Sequence, residues 1–384
     1  MKVRDAIIYH PLLYQFGGIE RWIINYSQTS QIRWTVVTSG VVKEGTFAEL
    51  RDLPVRVLRP ALQPRKSDLE VLVWMKRLHD VHWKHDQAVV FSDDGMTSVA
   101  AGGAGLAVCY CHTPPRAWFD ESVSANYSSA LRLSKALGAQ YLRRQWRQHY
   151  HEVVANSSET KRRIVDAGLR NFGDVKVIYP GTATERFEML PAPRDASQVL
   201  VFGRIAPNKN IELALEAFKC VAAANPKAHL VVAGGVSDRY RSYMLELKRR
   251  YGELGNVEWQ CNLSQGGLED ALARATVVVV PSLNEDFGLT VIEALAAGRR
   301  VIAVRAGGPK EILEGQATGT LVEGNPREFG SAILAALKGG PLTTLEMELA
   351  RDRARVFSVQ ESTRRLDEVV TRSAESRKME LPRS

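Results

Sequence analysis

Short apolar runs recur along this chain, spaced so that a helix fits between most of them. In the first half they fall at Ala6–His10, Trp34–Thr38, Val55–Leu58, Ala88–Ser92, Ala107–Cys111, Glu152–Asn156 and Lys176–Tyr179. A second series follows at Val199–Phe202, Leu230–Ala233, Val257–Trp259, Thr276–Val280, Val301–Val304 and Thr320–Val322. The run TVVVV at Thr276–Val280 is wholly β-branched, as expected of a parallel strand buried on both faces. Repeated strand–helix units of this kind predict parallel sheets covered by helices on both sides. Between the series lies Pro191–Gln198 (PAPRDASQ), where Pro191 and Pro193 impose a stiff, extended connection. The expectation is an α/β protein of two facing Rossmann-like domains with a cleft between them. Residues 1–190 form the first domain, residues 198–355 the second, and residues 356–384 a C-terminal helix and tail. The tail Glu375–Ser384 is expected to fray.

Bulk properties narrow this picture slightly. A chain of 384 residues has room for two ordinary domains. It contains no apolar run near the ~18 residues of a spanning helix, and MKVRDAIIYH opens as a strand with an acid too early for a signal peptide. The expected compartment is therefore the cytoplasm. The four cysteines are too scattered for a disulfide framework. Cys109 and Cys111, two apart on one strand, lack a second pair to complete a zinc site and read as buried free thiols. A net charge of +8 calls for an anionic partner without choosing one. Two apolar helices with basic edges, Leu69–His85 and Arg132–His151, allow peripheral contact with an anionic membrane. No nucleic-acid-binding motif accompanies the charge, so nucleic acid is not expected.

Chemistry concentrates at four loops. After the strand Thr276–Val280 comes PSLNEDFGLTVIEALAAG, with Glu285 in the loop and Glu293 about two turns into the following helix, Leu289–Ala297. That helix starts at Gly288–Leu289, so its unpaired N–H groups and positive dipole end can cradle an anion beside Phe287. The second domain opens with VFGRIAPNKN, where Gly203 closes the strand and Arg204 and Lys209 follow at its carboxyl end. Ligands of open α/β sheets bind there, and guanidinium plus ammonium suit a diphosphate. In the first domain Gly17 and Gly18 lead into a helix, a weaker anion signal that lacks the third glycine of a dinucleotide fingerprint. Finally CYCHTPPRAWFD places His112 at a strand end and carries Arg116 and Asp120 past Pro114–Pro115.

The Glu285/Glu293 spacing, followed by EALAAG and a Gly-Gly pair, resembles the signature of retaining glycosyltransferases of family 4. Gly203-Arg204 with Lys209 resembles that family's pyrophosphate site, and Gly17-Gly18 its N-terminal glycine loop. The string from His112 to Asp120 is similar to one found in the family's mannosyltransferases. The resemblance implies a GT-B fold and transfer of a hexose, expected to be mannose from GDP-mannose, to a hydroxyl of a glycan or lipid-linked glycan. It implies that Arg204, Lys209, Gly18, Phe287, Gly288 and Leu289 take the donor diphosphate, and that Glu293 holds the ribose. Glu285 would orient the sugar, with His112 beside it. Gly17, Arg116 and Asp120 fall to the acceptor side or to holding a loop. Neither a metal nor a cofactor other than the nucleotide-sugar donor is expected. One departure stands out: where the family often has aspartate in an Asn-Gly-Val-Asp segment, this chain has Ala183. Three alternatives stay open: a UDP-sugar donor, a non-catalytic nucleotide-sugar-binding protein of the same fold, and a hydrolysing epimerase.

Overall fold

The computed structural model describes residues 5–13, 17–40, 47–58, 76–93, 97–115, 119, 129–193 and 196–382. Its chain divides into two compact units, Met1–Gly181 with Val359–Ser384, and Thr182–Ser358.

In the first unit seven parallel strands form one sheet. They are β1 (Asp5–His10), β2 (Trp34–Thr38), β3 (Val55–Val57), β4 (Gln87–Asp93), β5 (Leu106–Cys111), β6 (Glu152–Ala155) and β7 (Val175–Val177). Their order is β3-β2-β1-β4-β5-β6-β7. Alternate residues feed two cores. Ile7, Tyr9, Val89, Phe91 and Cys109 pack on one face, while Ala6, Ile8, Val90, Val108 and Tyr110 pack on the other. Burial on both faces is why these strands read as unbroken apolar runs. Cys109 and Cys111 are free and buried among them.

The second unit holds β8 (Gln198–Phe202), β9 (His229–Gly234), β10 (Val257–Cys261), β11 (Val277–Val280), β12 (Arg300–Val304) and β13 (Gly319–Val322). Their order is β10-β9-β8-β11-β12-β13, again all parallel. Val199, Val201, Val232, Val277, Val279 and Ile302 pack with the helix Ile211–Ala224 on one face. In both sheets the strand order reverses beside the unit's first strand, between β1 and β4 and between β8 and β11. A crevice at the carboxyl ends opens at such a point, and ligands of open α/β sheets bind there.

Two boundaries differ from the sequence expectation. The units part at Gly181–Thr182, ahead of the proline linker, because Thr182 is already tied into the second unit by its N–H to the Phe357 carbonyl at 2.9 Å. The last helix, Val359–Ser376, packs in the first unit: Leu366, Val370 and Ala374 join the core around Trp22. Asp367 anchors it by accepting from the Tyr26 and Ser30 hydroxyls at 2.8 Å each and from the Gln31 N–H at 2.9 Å. The tail has packing contacts as far as residue 382. Met379 is buried, and the Pro382 carbonyl accepts from the Arg33 N–H at 3.2 Å.

The basic helix Ser129–His149 is also more structural than its charge suggests. Leu142, Trp146 and the following Tyr150 are buried. Arg143 donates to the Ala167 carbonyl at 2.7 Å and Arg147 to that of Gly168 at 2.8 Å, so both cations close a neighbouring turn. Among the described residues no helix is long and apolar enough to cross a membrane. The stretch 69–75 of the other basic helix lies outside the described residues.

Candidate functional site

The loops after β8 and β11, neighbours at the reversal point of the second sheet, are laced together. β8 ends at Gly203, whose φ of +130° favours glycine. Across from it Gly234 approaches so closely that a Cβ there would lie 1.6 Å from the Gly203 carbonyl oxygen. The chain then passes Arg204 and a short turn, Pro207–Lys209, to Asn210 in the left-handed region. The Asn210 amide donates to the Pro281 carbonyl at 3.2 Å, and the Ser282 hydroxyl donates to the Asn208 carbonyl at 2.8 Å. This lacing brings Lys209 Nζ to 2.5 Å from Glu285 Oε2. Burial pushes the Glu285 carboxyl up, but Lys209, the Ser282 hydroxyl and the Arg204 charge outweigh it and hold the group below the usual carboxylate range. Glu285 is therefore an anion at neutral pH, in a site with two cations.

The helix Leu289–Ala296 begins directly after this pair, with Gly288 at φ +108° and no side-chain cap. Uncapped N–H groups and the helix dipole favour an anion at that end. Gly307 and Gly308 support the loop from behind. The Gly308 N–H donates to the Glu285 carbonyl at 3.1 Å, and a Cβ at Gly308 would lie 1.9 Å from the Phe287 carbonyl oxygen. Sequence reading noticed this glycine pair but gave it no role. Phe287 itself is buried, edge-on to Phe357 at 5.7 Å, so its ring packs the loop and only its backbone can face a ligand. Glu293 lies half-buried in the second turn of the same helix. The structure thus brings Arg204, Lys209, Glu285 and the start of the helix at Leu289 to one place, with Glu293 on the helix that follows.

At the reversal point of the first sheet the chemistry is different. Gly17 is the N-cap of the helix Gly18–Thr29, and its carbonyl accepts from the Arg21 N–H at 3.1 Å. His112 follows β5 and is 6% exposed. Trp22 meets its ring edge-on at 4.9 Å, and Tyr110 lies tilted at 4.9 Å. His112 Nε2 is 3.0 Å from the Ser92 hydroxyl, and the Asn156 amide donates to the His112 carbonyl at 2.9 Å. His10, at the end of β1, reaches the Ser92 carbonyl through Nδ1 at 2.9 Å. Burial, and then the nearby His10, hold the His112 ring well below the usual imidazole range. Sequence reading missed His10 and Ser92. Their positions at strand ends beside the reversal were the available signal, and it needed the strand order to be read. Arg116 and Asp120 lie outside the described residues. Ser157 accepts from the Thr160 N–H at 3.0 Å as a helix cap, and Arg163 pairs with Glu159 at 2.8 Å. Among the described residues no cluster of three His, Cys, Asp or Glu side chains could hold a metal ion.

Residues 183–352 match the family model of glycosyl transferases group 1. A D-inositol 3-phosphate glycosyltransferase 2 from Catenulispora acidiphila is 31% identical over 202 residues, 48% of this chain and 47% of that one. A D-inositol 3-phosphate glycosyltransferase from Thermomonospora curvata is 32% identical over 211 residues, 49% of each. The chain spans about half the length of the curated relatives it matches. Among solved structures, Anabaena Alr3699/HepE in complex with UDP and glucose superposes with a TM-score of 0.70 at 19% identity, covering 96% of this chain and 99% of that one. WaaG, a glycosyltransferase involved in lipopolysaccharide biosynthesis, superposes with a TM-score of 0.69 at 16% identity, covering 95% and 99%. Identities this low speak for the fold alone. The chain has the GT-B fold, two Rossmann-like parallel-sheet domains, and its second unit matches the group 1 glycosyl transferases.

Proposed function

We propose that this protein is a retaining glycosyltransferase that moves a hexose from a nucleoside-diphosphate sugar to a hydroxyl acceptor, a glycan or a lipid-linked glycan. The observation that carries this reading is the Lys209–Glu285 ion pair beside Arg204, at the reversal point of the second sheet. As the glycosidic bond to the diphosphate breaks, negative charge grows on the leaving group. Arg204, Lys209 and the N–H groups at the start of the helix Leu289–Ala296 are the groups assigned to take it. Glu285, held ionised, is suited to sugar hydroxyls and to the positive charge that develops at the anomeric carbon. Glu293 keeps the ribose role, and His112 the place beside the transferred sugar, that the family resemblance gives them. By the family resemblance the acceptor is taken to attack from the face the leaving group departs, with Glu285 as an electrostatic partner and not a nucleophile.

The base and sugar have two readings. The His112–Asp120 string favours mannose from GDP-mannose. The UDP and UDP-glucose bound in the HepE structures favour a uridine donor instead. The names of the curated relatives add a phosphorylated inositol to the acceptors worth testing. Thermal melting with GDP-mannose, GDP, UDP-glucose, UDP-N-acetylglucosamine and UDP separates the two donors. A ligand at about a hundred times its Kd adds about 2.7 kcal/mol to stability. A shift with GDP compounds alone selects mannose for transfer assays, and a shift with UDP compounds alone discards it. No shift with any nucleotide removes the nucleotide-sugar reading.

A further inference from the structure

The carboxyl ends of β1, β4 and β5, adjacent in the first sheet, bring His10, Ser92 and His112 into one chain of hydrogen bonds. The direction of each bond can be deduced. A carbonyl oxygen only accepts, so His10 Nδ1 must carry a proton and donate it to the Ser92 carbonyl, fixing the backbone there. The Ser92 hydroxyl is fully buried, and among the described residues its hydrogen-bond partner is His112 Nε2 at 3.0 Å. Suppose Nε2 were the protonated nitrogen and donated to the hydroxyl. The hydroxyl's own proton would then be sealed in the core without an acceptor and would carry its full desolvation cost. With the hydroxyl donating to Nε2, nothing is left over, and the ring proton sits on Nδ1.

We infer that Ser92 and His10 are positioning residues that fix His112 as its Nδ1–H tautomer, so that the ring presents one neutral N–H donor to a ligand oxygen. Other contacts hold the ring in that pose. Trp22 stands edge-on at 76°, Tyr110 lies beside it, and the Asn156 amide pins the His112 carbonyl. Burial, and then the nearby His10, oppose a second proton on the ring. His112 donates rather than accepts, which suits a hydroxyl or ring oxygen of a sugar. Only the identity of that oxygen rests on the proposed transferase function; the tautomer itself does not.

The test is nitrogen-15 NMR of the full chain with labelled histidine, the His112 signals being identified by their loss in His112→Asn. The protonated nitrogen is recognised by its shift and its one-bond proton coupling. In the unliganded wild type, Nδ1 is expected to be protonated and Nε2 bare. Ser92→Ala should convert this to a mixture or to Nε2–H and lower sugar transfer roughly 10- to 100-fold, by analogy with the partners that orient metal-bound imidazoles. Ser92→Thr, which keeps the hydroxyl, should restore both readouts. A protonated Nε2 in the wild type overturns the proposal, as does a tautomer unchanged in folded Ser92→Ala. The wild-type spectrum decides even if the alanine variant fails to fold. Because it is recorded without substrate, failure of the tautomer and failure of the transferase reading are seen separately.

Discussion

The two sheets reverse their strand order at equivalent places, beside β1 and beside β8, yet the side chains gathered there differ in kind. At the second sheet they are charged: Arg204, Lys209 and Glu285, with one ion pair and an uncapped helix start. At the first the hydrogen-bonded set holds no lysine, arginine or carboxylate: His10, Ser92 and His112, walled by Trp22 and Tyr110. Topology supplies the crevice in both cases, while the chemistry comes from a few residues on the loops. The second set suits an anionic group, and the first a hydroxyl or other neutral polar group. A diphosphate needs fixed positive charge, whereas a hexose ring needs directional hydrogen bonds and no net charge to compete with them.

The strongest way to break this contrast is to remove the charge. Arg204→Ala and Lys209→Ala should each lower transfer by two to three decades, or about 3–4 kcal/mol of transition-state stabilisation, in steady-state assays with the donor found by melting. Lys209→Ala also leaves Glu285 half-buried without its partner, so the double variant with Glu285→Gln should lose less than the sum of its parts. A loss below tenfold in both single variants would remove the diphosphate role.

Next in size is a change that leaves every charge in place. Gly308→Ala puts a methyl group 1.9 Å from the Phe287 carbonyl oxygen, so the loop bearing Glu285 has to move. A displacement of roughly 1 Å in a positioning element costs about 100-fold, and that loss in transfer is expected while the protein stays folded by circular dichroism. Unchanged activity would mean that the loop tolerates displacement and that charge alone, without geometry, defines the site.

How much of this could be read from the chain depended on burial. The central strands were legible because runs such as Val277–Val280 are apolar on both faces, and the helices Ile211–Ala224 and Leu289–Ala296 had clear starts. Arg204, Lys209 and Glu285 were legible as single charged residues at strand ends. That Lys209 and Glu285 meet depends on β11 lying beside β8, an order no local pattern encodes. Basic residues were the least legible. Arg299 is fully buried and donates to the carbonyls of Leu272 at 2.7 Å and Pro191 at 2.5 Å. A guanidinium that closes backbone turns and one that waits for a phosphate look the same in sequence. Asp367 gives no more local sign of its role, a polar residue on a polar helix that holds that helix in the first unit.

The smallest effect sharpens the contrast most, because it separates the two places by pH alone. Both His112 and Glu285 have depressed pKa values in the folded protein, so each contributes stability that is lost on acidification, but in different windows. For His112 the unfolded ring takes up its proton near 6.5 while the buried ring resists it, so stability falls as pH drops below that value. For Glu285 the unfolded carboxyl titrates near 4.5 and the folded one lower, so nothing is lost until the pH passes below 4.5. One group contributes at most about 1.4 kcal/mol per pH unit. Denaturant unfolding of the wild type and His112→Asn should therefore show a gap that narrows as the pH falls from 7 towards 5. The gap between the wild type and Glu285→Gln should stay level over the same range and narrow only in stronger acid. If the His112 gap also stayed level, the ring would be accepting a proton inside the fold, and the first site would have to be counted as charged like the second.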